Sequence, residues 1–147
     1  MPVNKRQSIG YLSNHTARLF AHLIGDALAP LGVLPAYLPI LFELWEGQAL
    51  SQSDLVARSG LSQATMANTL NRMERDGLIE RLANPSDARS RLIKLSKKAQ
   101  ALEGSIKEKA QQVNEEVLAV LSDEEVSQWI GIMQKVIQRQ TDLMRKS

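Results

Sequence analysis

The sequence predicts a mainly α-helical fold with one small β-hairpin, and three observations predict it. Apolar residues recur at helical spacing over most of the 147 residues. Two short helical patterns are separated by only three or four residues around Gly60, the spacing of a helix-turn-helix. Directly after them, two alternating segments flank a run dense in turn formers, "ANPSDA", as the strands of a hairpin do.

Taken in order, residues 8–29 place Leu12, Leu19, Leu23 and Ala27 on one helical face, widened by Phe20, Ile24 and Leu28. Pro30 and Gly32 end that helix. Pro35 suits the first turn of a second helix, "LPAYLPILFELWE". Pro39 belongs either to the same first turn or to a mild kink, and Gly47 closes the helix. Ser51 with Asp54 three residues on has the form of a capping box opening a helix that runs to Ser59. Ser62 caps the next helix, which runs to Asp76 and stops at Gly77. "LIERL" and "RSRLIKLS" then alternate as half-buried strands. From Lys97 onward the chain reads as helix. One stripe holds Leu102, Ile106, Val113, Val117 and Val120, and a second, after the acidic start "SDEEV", holds Val126, Trp129, Ile130, Met133, Val136 and Ile137.

Composition narrows the function classes. There are no cysteines, which excludes disulfides and thiol chemistry. No apolar run reaches the roughly 18 residues of a membrane span. "MPVNKRQSIGY" has basic residues with no apolar core behind them, so no secretion signal is expected and a cytoplasmic protein is the default. Residues 1–98 hold 12 Lys and Arg against 8 Asp and Glu, whereas residues 99–147 hold 6 against 8. A basic front half points to a polyanionic partner for that half. An enzyme is disfavoured. Two histidines on one helix, no glycine-rich phosphate loop and no metal-ligand spacing leave little to do chemistry with.

The helix at 62–76 should bury Met66, Leu70 and Met73 and show Gln63, Ala64, Ala67, Asn68, Asn71 and Arg72 on the opposite face. Small side chains there permit close approach to a major groove. Amides can grip the N6/N7 edge of adenine, and Ala64, Ala67 and the Thr65 methyl can meet thymine methyls. Arg89, near the hairpin tip between Ala88 and Ser90, can extend into a narrow minor groove. Asp87 is expected to pair with Arg89 or Arg91 and stiffen the loop. Arg81 and Arg91 are expected to meet phosphates or to brace the structure. The alternative for each is a solvated surface residue.

The stretch "LSQSDLVARSGLSQATMANTLNRMERDGLIERL" followed by "NPSDARSRLIKLS" resembles the winged helix-turn-helix core of the MarR-type transcription regulators. "LAPLGVLPAYLPILFELWE" resembles the flanking helices of the same family. One departure is Asn68, where many relatives carry arginine, so contacts of that arginine are not carried over. The resemblance implies a winged helix-turn-helix with N- and C-terminal dimerisation helices, divided as 1–32, 33–96 and 97–147. It implies a homodimer on an inverted-repeat operator in double-stranded DNA, more often a repressor than an activator; no cofactor is expected, and His15 and His22, two turns apart with no cysteine near, give no metal site. The expected DNA-binding residues are Ser62, Gln63, Ala64, Thr65, Ala67, Asn68, Arg72, Arg81, Arg89 and Arg91. The family often binds a small aromatic or phenolic effector. Candidates for it are Tyr11, His15, Arg18 and His22, which share one helical face, with Tyr37, Phe42 and Trp45. Core packing for the aromatics, and surface or dimer positions for the histidines, are the alternatives. A winged module that contacts protein and leaves DNA alone is the alternative for the whole chain.

Overall fold

In the computed structural model, which describes residues 4–146, local signals and observed elements agree closely. Residues 1–3, at the start of the segment read for a secretion signal, lie outside that range. Helix α1 spans Ile9–Leu28, with the Ser8 hydroxyl accepting from the Tyr11 amide. Two single 3-10 turns, Ala29–Leu31 and Pro35–Tyr37, lead into α2, Leu38–Leu44. Pro39 sits in the first turn of α2, where its missing N–H costs nothing, so it makes no kink.

The helix-turn-helix is α3, Gln52–Ser59, and α4, Gln63–Arg75. Both capping interactions expected at α3 are present: the Ser51 hydroxyl accepts from the Asp54 amide, and the Asp54 carboxylate accepts from the Ser51 amide, each at 3.1 Å. The Ser51 amide, and after it the Ser51 hydroxyl beside the carboxylate, hold the Asp54 carboxyl below its ordinary pKa. Gly60 ends α3 at φ 75° and Gly77 follows α4 at φ 76°, left-handed positions that glycine adopts without a Cβ clash.

The wing strands are β2, Ile79–Ala83, and β3, Arg91–Leu95, paired antiparallel from Ile79 opposite Leu95 to Ala83 opposite Arg91. A third, two-residue strand β1, Leu50–Ser51, joins the other edge of β3, with Leu50 opposite Ile93, giving the order β1-β3-β2. This strand has no counterpart in the sequence reading. Two residues carry no periodicity, and the partner lies some forty residues downstream.

Leu28, Tyr37, Ile40, Leu41, Leu55, Met66, Leu70, Met73, Leu78, Ile93 and Ile106 belong to one buried core. The chain divides between Ala110 and Gln111 into two compact units. Helix α5, Lys97–Leu118, runs from the first into the second, and α6, Asp123–Arg145, completes the second. Ser122 and Glu125 form a capping box at the start of α6. Helix α6 buries none of its described residues, and of α1 only Leu28 is buried. No single helix among the described residues is long and apolar enough to cross a membrane.

Candidate nucleic-acid interface

Helix α4 is oriented by what it buries. Met66, Leu70 and Met73 are fully enclosed, as their spacing predicts. Thr69 is buried with them, and its hydroxyl donates to the Thr65 carbonyl at 2.8 Å. Anchoring that face leaves Ser62, Gln63, Ala64, Thr65, Asn68 and Arg72 exposed, with Ala67 half-buried beside them. The Ser62 hydroxyl accepts from the Thr65 amide at 3.1 Å, so the cap predicted for this helix is formed. Gln63 is already oriented: its carbonyl oxygen accepts from the Gln52 amide nitrogen at 3.3 Å, fastening the first turns of α3 and α4 together. Asn68 has no such neighbour among the bonds of the described residues and projects freely.

The wing tip is held by short-range bonds. Asn84 accepts from the Ser86 amide and donates to the Ser90 hydroxyl, both at 2.9 Å. Asp87 accepts from the backbone amide of Arg89 at 2.9 Å, and its carboxylate lies 3.9 Å from the Arg89 guanidinium. The expected stiffening role of Asp87 thus has a definite geometry, in which the backbone bond outweighs the loose, exposed ion pair. The Arg89 side chain is 97% exposed. A pre-shaped loop with one long cation at its tip can reach a groove with little further ordering.

Arg81 differs in kind. Its guanidinium donates to Glu74 at 2.6 Å and to Asn71 at 3.1 Å, and its side chain is only 18% exposed. It braces the wing strand against α4. Arg91 donates to the Arg81 carbonyl at 3.2 Å. Even so, Arg81, Arg89 and Arg91 line one cavity of about 310 Å³ together with Ser51 and Gln52, the start of α3. Three guanidiniums with no carboxylate among the lining residues make that hollow suited to an anion such as a backbone phosphate.

The residues proposed for an effector fall in different settings. Tyr37 is in the core, its hydroxyl donating to Asp76 at 2.5 Å. Phe42 and Trp45 meet edge to face at 5.2 Å, and Lys107 lies 5.0 Å from the Trp45 ring centre. On α1, Tyr11 and His15 are in edge contact at 5.9 Å, and His22 lies 3.6 Å from Asp26, with Arg18 exposed on the same helix. The sequence reading missed the Tyr37–Asp76 and Arg81–Asn71 bonds. Their partners are brought together only by the fold.

A capped helix presented beside an arginine-tipped hairpin defines a winged helix-turn-helix. Residues 36–90 match the sequence model of the MarR family. A probable transcriptional regulator from Pseudomonas aeruginosa is 26% identical, with a TM-score of 0.83 over 90% of this chain and 99% of its own. A MarR transcriptional regulator from Methanosarcina mazei Go1 is 20% identical, with a TM-score of 0.85 over 92% and 97%. A mutant MarR from E. coli, solved in complex with operator DNA, is 23% identical, with a TM-score of 0.82 over 90% and 96%.

Proposed function

We propose that this chain is a sequence-specific DNA-binding transcription regulator acting as a homodimer. The observation that carries the reading is the juxtaposition, in one compact unit, of the exposed N-terminal face of α4 with the basic hollow under the wing. Helix α4 would enter the major groove with its first turn foremost, where Gln63, Ala64, Thr65, Ala67 and Asn68 meet base edges. The Ser62 cap and Arg72 would sit near phosphates. Arg89 would reach the minor groove, with Arg91 and Arg81 facing the backbone between. The operator complex of the E. coli relative supports the same use of this fold.

The dimer is supported by the apolar faces left open on one chain. Leu19 is 54% exposed on α1 and Ile137 59% exposed on α6, and Leu12, Leu23, Ile130, Met133 and Val136 are open as well. Residues 1–32 and 97–147 would supply the dimer helices, and residues 33–96 the DNA-binding module. Repression relieved by a small aromatic effector is the regulatory mode this family resemblance favours.

Retention of genomic fragments by purified protein, followed by a salt titration of the retained fragment, tests the reading. Log affinity should fall steeply with log salt, because each neutralised phosphate releases counterions. A protein-docking winged module would show no retained fragment and no slope.

A further inference from the structure

The end of α4 is clamped from two sides. Asp76 is the residue at which the helix ends, its amide donating to the Arg72 carbonyl at 2.9 Å and the next amide, of Gly77, to the Glu74 carbonyl at 3.0 Å. Lys98, from the first turn of α5, donates to the Asp76 carbonyl at 2.9 Å, and the Ser96 hydroxyl donates to the Gly77 carbonyl at 2.7 Å. The third bond comes from a different quarter of the chain. Tyr37 lies 39 positions upstream, in the turn that connects α1 to α2, and its hydroxyl donates to the Asp76 carboxylate. Its ring is 1% exposed, and burial, followed by the bond to Asp76, raises the phenol pKa above its ordinary value. Helix α1 rests on the same turn: a Cβ added at Gly25 would stand 3.3 Å from the Pro35 ring, two residues before Tyr37.

We propose that Tyr37 is a positioning residue for DNA binding, a strut that fixes the C-terminal end of the recognition helix to the turn on which α1 rests. The inference builds on the DNA-binding reading above. The first turns of α4 meet the DNA, so the angle of the helix depends on how its far end is held. Met66, Leu70 and Met73 are apolar contacts that tolerate small rolls and slides. A hydrogen bond to a carboxylate is directional and resists them. Because Tyr37 moves with the segment carrying α1, a displacement of α1 would reach α4 through this bond.

The test is Tyr37→Phe, which removes one oxygen and keeps the ring in the core. Hydrogen exchange of the free protein should quicken across the α4 amides on the order of tenfold while α3 amides keep their rate. DNA affinity should fall by a similar factor with the salt slope unchanged, since the same phosphates are met. Asp76→Asn, which keeps an acceptor, should stay near wild type. Asp76→Ala should match Tyr37→Phe, and the double variant should be no worse than either single one. Wild-type exchange in α4 of Tyr37→Phe overturns the strut. That measurement is made without DNA, so it decides the point even if wild-type protein retains no fragment, a result that would count against the DNA-binding reading instead. Quickened exchange with undiminished affinity overturns the positioning role.

Discussion

The winged core and helix α6 treat apolar side chains in opposite ways. Between Tyr37 and Ile93, many of the large residues at helical or strand spacing are enclosed: Leu41, Leu55, Leu70 and Leu78 are at most 1% exposed, while Phe42 and Leu82 stay open. In α6 the spacing is just as regular, yet Ile132, Met133, Val136 and Ile137 stay open to solvent. Periodicity alone thus says which face is apolar and not what covers it. The core is covered by its own chain. In the proposed dimer, a second copy would cover the open stripe.

The largest expected effect breaks the comparison outright. Removing residues 122–147 should leave the chain aggregated or unfolded, because the partner stripe on α6 goes with it. Size-exclusion chromatography with light scattering reads this, and a soluble, folded 1–121 fragment would count against the proposed dimer.

A pair of substitutions sharpens the contrast. Leu70→Ala should cost about 2–5 kcal/mol, as enclosed leucines do. Ile137→Ser should instead lower the melting temperature mainly in dilute solution, since an association equilibrium depends on concentration. Melting curves across a hundredfold range of protein concentration separate the two.

Arg89→Ala should weaken DNA binding by about 1–3 kcal/mol with the melting temperature unchanged. Fluorescence anisotropy at physiological salt checks it, and equal affinity would remove the wing tip from the interface. Arg81→Ala should behave differently and loosen the wing itself, because Arg81 is bonded to Glu74 and Asn71.

The smallest effect concerns the cap of α3. The lowered pKa of Asp54 means its contribution to stability is present above the ordinary carboxyl pKa and is lost as pH falls through the folded value. Asp54→Ala should therefore cost about 0.3–1 kcal/mol near neutrality. The difference from wild type should shrink as the pH is taken well below 4. Urea melts at neutral and acid pH measure it.

Much of this was legible in the sequence, and the reason is locality. Caps at Ser51, Ser62 and Ser122, glycine stops at positions 60 and 77, and the hairpin around Asn84–Ser90 each depend on residues a few positions apart. The buried triad of α4 followed from spacing alone. What escaped notice is long-range. Strand β1 is defined only by β3. Tyr37 reads as an aromatic core residue or effector contact until Asp76 is folded against it. Arg81 reads as one more cation until α4 supplies its two acceptors. The exposed face of α4 was predicted as a face, while the Gln52–Gln63 contact that orients it was not.

The central claim is that two copies of this winged core read DNA together. Selection of bound sequences from a random double-stranded library tests it most directly. The account predicts enrichment of an inverted repeat with A/T-containing half-sites whose centres lie about one helical turn apart, and, for Asn68→Ala, relaxed preference at one symmetric pair of positions. Enrichment of a lone half-site, or of nothing, would contradict it.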